Sequence, residues 1–190
     1  MILADPKRLI PSDSFGVKGK NYYWNNPQRF GISEHELKDL GITDETVLVD
    51  LDLKAPLALA KQRLGKYGYT IAIVDGYRSP ELYKIAHRTR SKVMGKANAN
   101  ALMNLKDMPH ASGRVVDVQL IDTKTGKEVY MRDSKDSIPA HFVGFYTDKN
   151  DAQSKTFQRL QDLLVKTMLS LGFKLGSKKE YWHFELPLDK

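Results

Sequence analysis

The residues of this chain that could do chemistry gather in two short stretches far apart in sequence. One is Glu180-Tyr181-Trp182-His183, near the end of the 190 residues. The other is His110-Ala111-Ser112-Gly113-Arg114-Val115-Val116-Asp117. A catalytic zinc ion takes three protein ligands and keeps a fourth position for water. One histidine is therefore not enough, but the two stretches together supply two imidazoles, a ligand carboxylate and a spare carboxylate. That is a complete zinc hydrolase set. The chain has no cysteine, which removes disulfides, thiolate zinc sites and a cysteine nucleophile. Any metal must be held by His, Asp or Glu.

Each stretch constrains the backbone that carries it. His110 reads as a loop residue and Asp117 as a strand residue, with Gly113 between them to allow a sharp backbone path. An aspartate amid Val115, Val116, Val118 and Leu120 is costly to bury unless a metal or an arginine pairs with it. On an edge strand it would instead point to solvent. Glu180 and His183, three apart, would emerge on opposite faces of a flat strand. Both can face one metal only if Glu180 lies in the turn before the strand, or if the strand is strongly twisted. Lys178-Lys179 just upstream suits the turn. Alone, a histidine between Trp182 and Phe184 is more often a satisfied core residue.

The elements that must position these residues are legible in part. Residues 1–30 carry Pro6, Pro11 and Pro27 with little periodicity. They read as an N-terminal arm packed on the surface and anchored by Tyr22, Tyr23, Trp24 and Phe30, ahead of a single domain over 31–190. Ser33 and Glu36 form a capping box for a short helix that stops at Gly41, with His35 exposed in its first turn. A second helix starts near Leu53, tolerates Pro56 in its first turn and repeats Leu57, Ala60 and Leu64. Thr70 to Val74 is a buried strand that delivers Asp75-Gly76-Tyr77-Arg78 at its end. Ser79-Pro80 then opens a helix whose inner face is Leu82, Ile85 and Ala86.

Residues 91–109 allow either an alanine-rich helical turn or a flap over the site. Val115 to Ile121 is the next strand, with Val115, Asp117 and Gln119 on one face and Val116, Val118 and Leu120 on the other. Glu128 to Met131 is expected to return as a hairpin strand after a polar turn, and residues 132–153 read as loop. A helix from Ser154 carries the stripe Phe157, Leu160, Leu164, Met168 and Leu171 and ends at Gly172. A last hairpin follows, Phe173 to Leu175 and Tyr181 to Leu186 about a Gly176-Ser177-Lys178-Lys179 turn. Helices and strands without a βαβ rhythm imply an α+β fold. We expect a central, mostly antiparallel sheet with helices packed on it and the zinc site at the sheet.

The joint pattern resembles the zinc D-Ala-D-Ala dipeptidases of the vancomycin-resistance type, within the wider group of LAS-type cell-wall peptidases. Their pattern is a histidine, a glycine three on and an aspartate seven on, then much later Glu-Trp-Trp-His. This chain has His110, Gly113, Asp117 and Glu180-Tyr181-Trp182-His183. The family's Asp-x-Tyr-Arg at a strand end is matched by Asp75-Gly76-Tyr77-Arg78, so the resemblance spans about residues 57–188. It implies one zinc ion per chain, held by His110, Asp117 and His183, with Glu180 as general base. It implies Arg78 as the cation facing the developing oxyanion, with Asp75 positioning it and Tyr77 beside it at the substrate. The family's Met-Gly-Thr-x-Phe-Asp pattern supplies an aspartate for the substrate's free ammonium. Met131 and Asp136 keep that spacing, while Arg132, Asp133 and Lys135 replace the Gly, Thr and Phe. Met108 stands where the family has serine, and Val115 where it has alanine. The implied activity is hydrolysis of D-Ala-D-Ala or a close D-amino-acid dipeptide. A related D,D-carboxypeptidase or endopeptidase acting on peptidoglycan stem peptides is the alternative, and a non-catalytic zinc-containing binding module the third. His87 and His141 are not expected as ligands.

Composition sets the outer bounds. At 41% apolar and 28% charged residues the chain can bury one sizeable core. No apolar run approaches the roughly 20 residues that span a bilayer, so no membrane insertion is expected. The +7 net charge comes from scattered lysines and arginines with no zinc-finger, RNP or basic-zipper pattern, so nucleic acid is not an expected partner. Such a surface suits an anionic wall polymer. No signal peptide is visible in the first residues. The expected location is cytoplasmic as written, and periplasmic or cell envelope if a leader was removed.

Overall fold

In the computed structural model, residues 2–103, 105–176 and 179–188 are described. The strands are β1 (Leu9–Pro11), β2 (Lys18–Gly19), β3 (Leu48–Asp50), β4 (Tyr69–Asp75), β5 (Val115–Asp122), β6 (Lys174–Leu175) and β7 (His183–Glu185). The helices are α1 (Tyr22–Asn25), α2 (Pro27–Phe30), α3 (Glu34–Asp39), α4 (Lys54–Gly65), α5 (Pro80–Met94), α6 (Lys96–Leu102) and α7 (Ala152–Leu169). The main sheet has the order β2-β4-β5-β7-β6, and β1 and β3 form a separate antiparallel pair. Only β2 and β4 run parallel among the described strands. This is the expected α+β architecture, a mostly antiparallel sheet with helices packed on it.

Alternation along β5 decides which side of the sheet is filled. Val116, Val118 and Leu120 enter the main core with Ile71 and Ile73 of β4 and Phe184 of β7. The helical stripe Leu57, Ala60 and Leu64 of α4 covers that face, as does Leu160, Leu164 and Met168 of α7. Full burial of each such side chain is worth roughly 1.5–3 kcal/mol, so this layer is the main source of stability. Asp117 and Gln119 are left on the opposite face, half-buried. A second apolar cluster lies around α5, where Leu82, Tyr83 and Ala86 meet Tyr23, Phe30, Leu37, Met108 and Ala111. The stretch before residue 31 thus adds β2 to the main sheet and buries two aromatic rings against α5.

Local signals set the helix ends. Both halves of the Ser33–Glu36 capping box are made, and Ser79 accepts the Leu82 N–H at 3.1 Å with Pro80 in the first turn. One expected strand is not formed. Glu128 to Met131 is not a strand: it makes one bridge, Glu128 to Ile121, and one bond from the Val129 N–H to the Leu120 carbonyl. The chain then leaves the sheet because Gln161 of α7 donates to the Met131 carbonyl at 2.8 Å, pulling the segment toward the helix. Within residues 91–109 the helical one of the two expected alternatives is formed: α5 runs to Met94 and the alanine-rich α6 follows. Of the expected 176–179 turn, Ser177 and Lys178 lie outside the described residues. No helix among the described residues is long and apolar enough to cross a membrane.

A buried guanidinium ties the chain end to the second sheet. Arg114, 8% exposed, donates to the Leu186 and Pro187 carbonyls at 3.0 and 2.8 Å and pairs with Asp50 and Asp52. Arg8 closes the cluster on the same two carboxylates. Burial pushes the Asp50 carboxyl up, but the Arg8 and Asp52 hydrogen bonds together outweigh it and leave it below its ordinary value. Hydrogen bonds from Arg114 and then Arg8 lower Asp52 as well. Replacing Arg114 by Met is expected to cost about 3 kcal/mol, the low end for a broken buried pair because Arg8 remains on Asp50. In urea unfolding this appears as a lower midpoint at unchanged m. Carboxylates lowered in the folded state stabilise above about pH 4 and lose that contribution as pH falls through their native values. The lead of wild type over Arg114→Met should therefore shrink on acidification.

Candidate metal centre

Register places three of the chemistry-bearing residues in one row. Asp117 lies directly opposite His183 on β7 and, on its other side, opposite Asp75 on β4. The β4 pairing is bulged: Ile73 faces Val118, yet Asp75 faces Asp117. Strict alternation would put Asp75 on the same face as Ile71 and Ile73, inside the core. One extra residue, Val74, turns it onto the face of Asp117. The bulge therefore converts a core position into a site position.

His110 is brought to this row by the tight turn Pro109–Ser112 immediately before β5. Gly113 ends the turn at φ +69°, in the left-handed region, and an added Cβ would meet Leu9 Cδ2 at 2.9 Å. Three bonds fix the turn. The His110 N–H donates to Tyr83 Oη at 2.9 Å. The His110 carbonyl accepts from the Arg78 N–H at 3.2 Å. His110 Nδ1 contacts the Gly76 carbonyl at 2.9 Å. A carbonyl only accepts, so Nδ1 carries the proton and Nε2 presents a lone pair. That Nε2 lies 3.6 Å from Asp117 Oδ1. Burial, against the opposing pull of Asp117, pushes the imidazole down to about 3 and keeps it neutral.

His183 completes the cluster. Its Nδ1 is 2.8 Å from Asp117 Oδ1, and its ring meets that of His110 edge-on with centroids 5.0 Å apart. Burial would lower its pKa, but the hydrogen bond and charge of Asp117 raise it on balance. One donor atom each from His110, Asp117 and His183 lie within 4.8 Å of one another. Two imidazoles and a carboxylate without sulfur are a ligand set that zinc accepts. The neutral, oriented Nε2 of His110 facing a carboxylate oxygen is the arrangement a cation would complete.

The spare carboxylate is in the same cavity. Glu180 precedes β7, and the chain turns between them, with the His183 N–H on the Glu180 carbonyl at 3.3 Å. The turn removes the opposite-face difficulty that a flat strand would impose. Arg78 is 8% exposed, forms a buried ion pair with Asp75 and lies between two rings, 4.4 Å from the Tyr83 centroid and 5.3 Å from that of Tyr23. Its Nε and the Tyr23 hydroxyl are buried without a hydrogen-bond partner among the described residues. Burial pushes the Asp75 carboxyl up and opposes the charge on Arg78, which Asp75 then holds in place, raising the arginine on balance. Gly76 allows the crossing of β3 just here, since an added Cβ would meet the Leu48 carbonyl and lie 2.7 Å from Val47 Cγ1.

The chain shares its fold with an LD-carboxypeptidase. LdcB, whose structure is described as revealing the molecular basis of peptidoglycan recognition, superimposes with a TM-score of 0.53 at 16% identity, over 96% of this chain and 69% of that one. The vancomycin-resistance D,D-pentapeptidase VanY, solved in complex with Zn(II), aligns over 97% of this chain and 86% of its own, at 13% identity and a TM-score of 0.49. No protein-family model matches the sequence, and a search of curated proteins finds none that matches.

The cavity has a volume of about 1060 Å³ and is lined by Asp75, Arg78, His110, Asp117, Glu180 and His183 among others. Two residues expected at the substrate are not brought to it. Tyr77 is half-buried, its N–H spent on the Leu48 carbonyl at 2.7 Å, and it is absent from the lining. Asp136 accepts the Tyr146 hydroxyl and does not line the cavity; from that segment Arg132 and Ser134 do. His141 lines the wall with its ring 4.9 Å from that of Trp182, and His35 and His87 are not in the lining.

Sequence reasoning passed over Tyr83 and Gly176. Tyr83 sits three residues before Ala86 on the inner face already read for α5, so its spacing could have shown it. Gly176 carried no signal, because only the fold lays it on His183. An added Cβ there would clash with His183 Cδ2 and lie 2.8 Å from Nε2. Gly176→Ala is therefore expected to displace the ring and weaken zinc binding about tenfold or more, as disturbed ligand support does. Gly65→Ala, where a Cβ meets nothing within 4 Å, should bind as wild type in the same chelator competition.

Proposed function

We propose that the protein is a zinc-dependent peptidase acting on D-amino-acid peptides of the peptidoglycan-stem type. The observation that carries this reading is the convergence of His110, Asp117 and His183 with Glu180 and the buried Arg78 on one cavity. The three ligands would hold one zinc ion per chain. When bound, zinc supplies a Lewis acid that polarises a carbonyl and acidifies water. Glu180 accepts a proton from the attacking water and passes it to the leaving amine. Arg78 faces the carbonyl oxygen as it gains charge, and its place between two tyrosine rings and against Asp75 keeps it there without reorganisation.

The cavity supports trimming of a longer stem peptide over cleavage of the free D-Ala-D-Ala dipeptide. The carboxylate that the dipeptidase spacing offers for a free ammonium, Asp136, is engaged by Tyr146 outside the cavity, while Arg132 lines it. The fold likeness to a carboxypeptidase is consistent with this, although fold alone does not determine activity. Such a substrate would place the protein's work at the cell envelope.

The test is D-alanine release by zinc-loaded protein from D-Ala-D-Ala and from an N-acylated stem peptide ending in D-Ala-D-Ala, with Glu180→Ala as the blank. Cleavage of the acylated peptide is expected. Cleavage of the free dipeptide alone would return the reading to a dipeptidase, and no zinc-dependent release from either, or from whole peptidoglycan, would overturn it. On the cleaved substrate, Arg78→Lys keeps the charge on Asp75 but loses the planar fork. It should lower kcat about a hundredfold with KM little changed.

A further inference from the structure

One side chain touches both halves of the site without belonging to either. Tyr83 of α5 is 1% exposed, yet its edge reaches the cavity lining. Its ring lies under the Arg78 guanidinium, 4.4 Å from Cζ to the ring centroid. Its hydroxyl oxygen accepts the backbone N–H of His110 at 2.9 Å. The same His110 carbonyl takes the Arg78 N–H, so tyrosine, histidine and arginine form a closed loop of contacts across two chain segments. Leu82 and Ala86 beside Tyr83 are packed in the second core, and that packing holds the ring between its two partners.

We propose that Tyr83 is a positioning residue that couples the metal centre to the arginine. This rests on the zinc reading above. The hydroxyl secures the turn bearing His110, and so the direction of its Nε2. The ring holds the guanidinium through a desolvated cation–π contact. Tyr23 is the natural comparison. It covers the same guanidinium at 5.3 Å, but its hydroxyl has no hydrogen-bond partner among the described residues, so it touches one half only.

The experiment is zinc affinity by chelator competition on folded wild type, Tyr83→Phe and Tyr23→Phe. Amide exchange at His110 is followed in the zinc-free proteins, with the thermal midpoint as a folding control. Tyr83→Phe keeps the ring and removes the oxygen. It should weaken zinc about tenfold, as loss of ligand-supporting hydrogen bonds does, and speed exchange of the His110 amide. Tyr23→Phe should leave both unchanged. Tyr83→Leu, which also removes the ring, should add a fall in kcat of about tenfold at unchanged KM. Zinc affinity of Tyr83→Phe within twofold of wild type, or an equal loss in Tyr23→Phe, would overturn the proposal. A wild type that takes up no zinc would instead remove the metal-centre reading. The coupling would then stand or fall on the His110 exchange rate alone, faster in Tyr83→Phe or unchanged.

Discussion

Pairing register is the constraint on which the rest of this structure depends. Asp75, Asp117 and His183 meet because three neighbouring strands place them opposite one another. A slip of one residue between β5 and β7 would send His183 to the core face and Phe184 to the cavity. Register is held by what lies behind the sheet. Val116, Val118, Leu120 and Phe184 have their places in the core against α4 and α7, and moving any of them out would expose apolar surface while burying a carboxylate. The same packing that stabilises the fold therefore aligns the polar row.

Within that frame the bulge at Val74 has a local purpose. A buried carboxylate needs a partner, and on the core face Asp75 would have none. Turned outward it finds Arg78, three residues on, across the start of α5. The guanidinium is in turn enclosed by Tyr23 and Tyr83. The N-terminal stretch contributes Tyr23 to this enclosure and Arg8 to the Asp50–Asp52–Arg114 cluster behind the site. Charge burial at one end of the sheet thus depends on segments remote in sequence.

The cavity wall departs from what the dipeptidase spacing implies. The segment after Met131 keeps an aspartate at the spacing that the dipeptidase resemblance calls for. The Gln161 and Tyr146 anchors on that segment nevertheless carry Asp136 away and present Arg132 and Ser134. Spacing in sequence conserved the residue type but not its direction. Specificity depends on direction.

The sequence by itself was enough for most of the elements and for the candidate residues that the fold brings together. The apolar run of β4, the alternation of β5, the stripe of α7 and the Ser33 and Ser79 caps are local patterns, decided by neighbours three or four residues away or by strand alternation. His110, Asp117, His183 and Glu180 stand out because few side chains can bind a metal or move a proton, and the family resemblance adds Arg78. Strand alternation allowed Glu180 and His183 to share a face only through a turn or a strong twist, and the structure has the turn. Only the tertiary structure decided the rest. Non-local pairing chose the bulge, the parallel placement of β2 and the loss of a strand at Glu128–Met131. Close approach of the distant β3 segment made a glycine of 76. Packing between α5 and the His110 turn gave Tyr83 its two partners. Each of these is a contact between segments tens of residues apart, and no local periodicity encodes which distant atoms will meet.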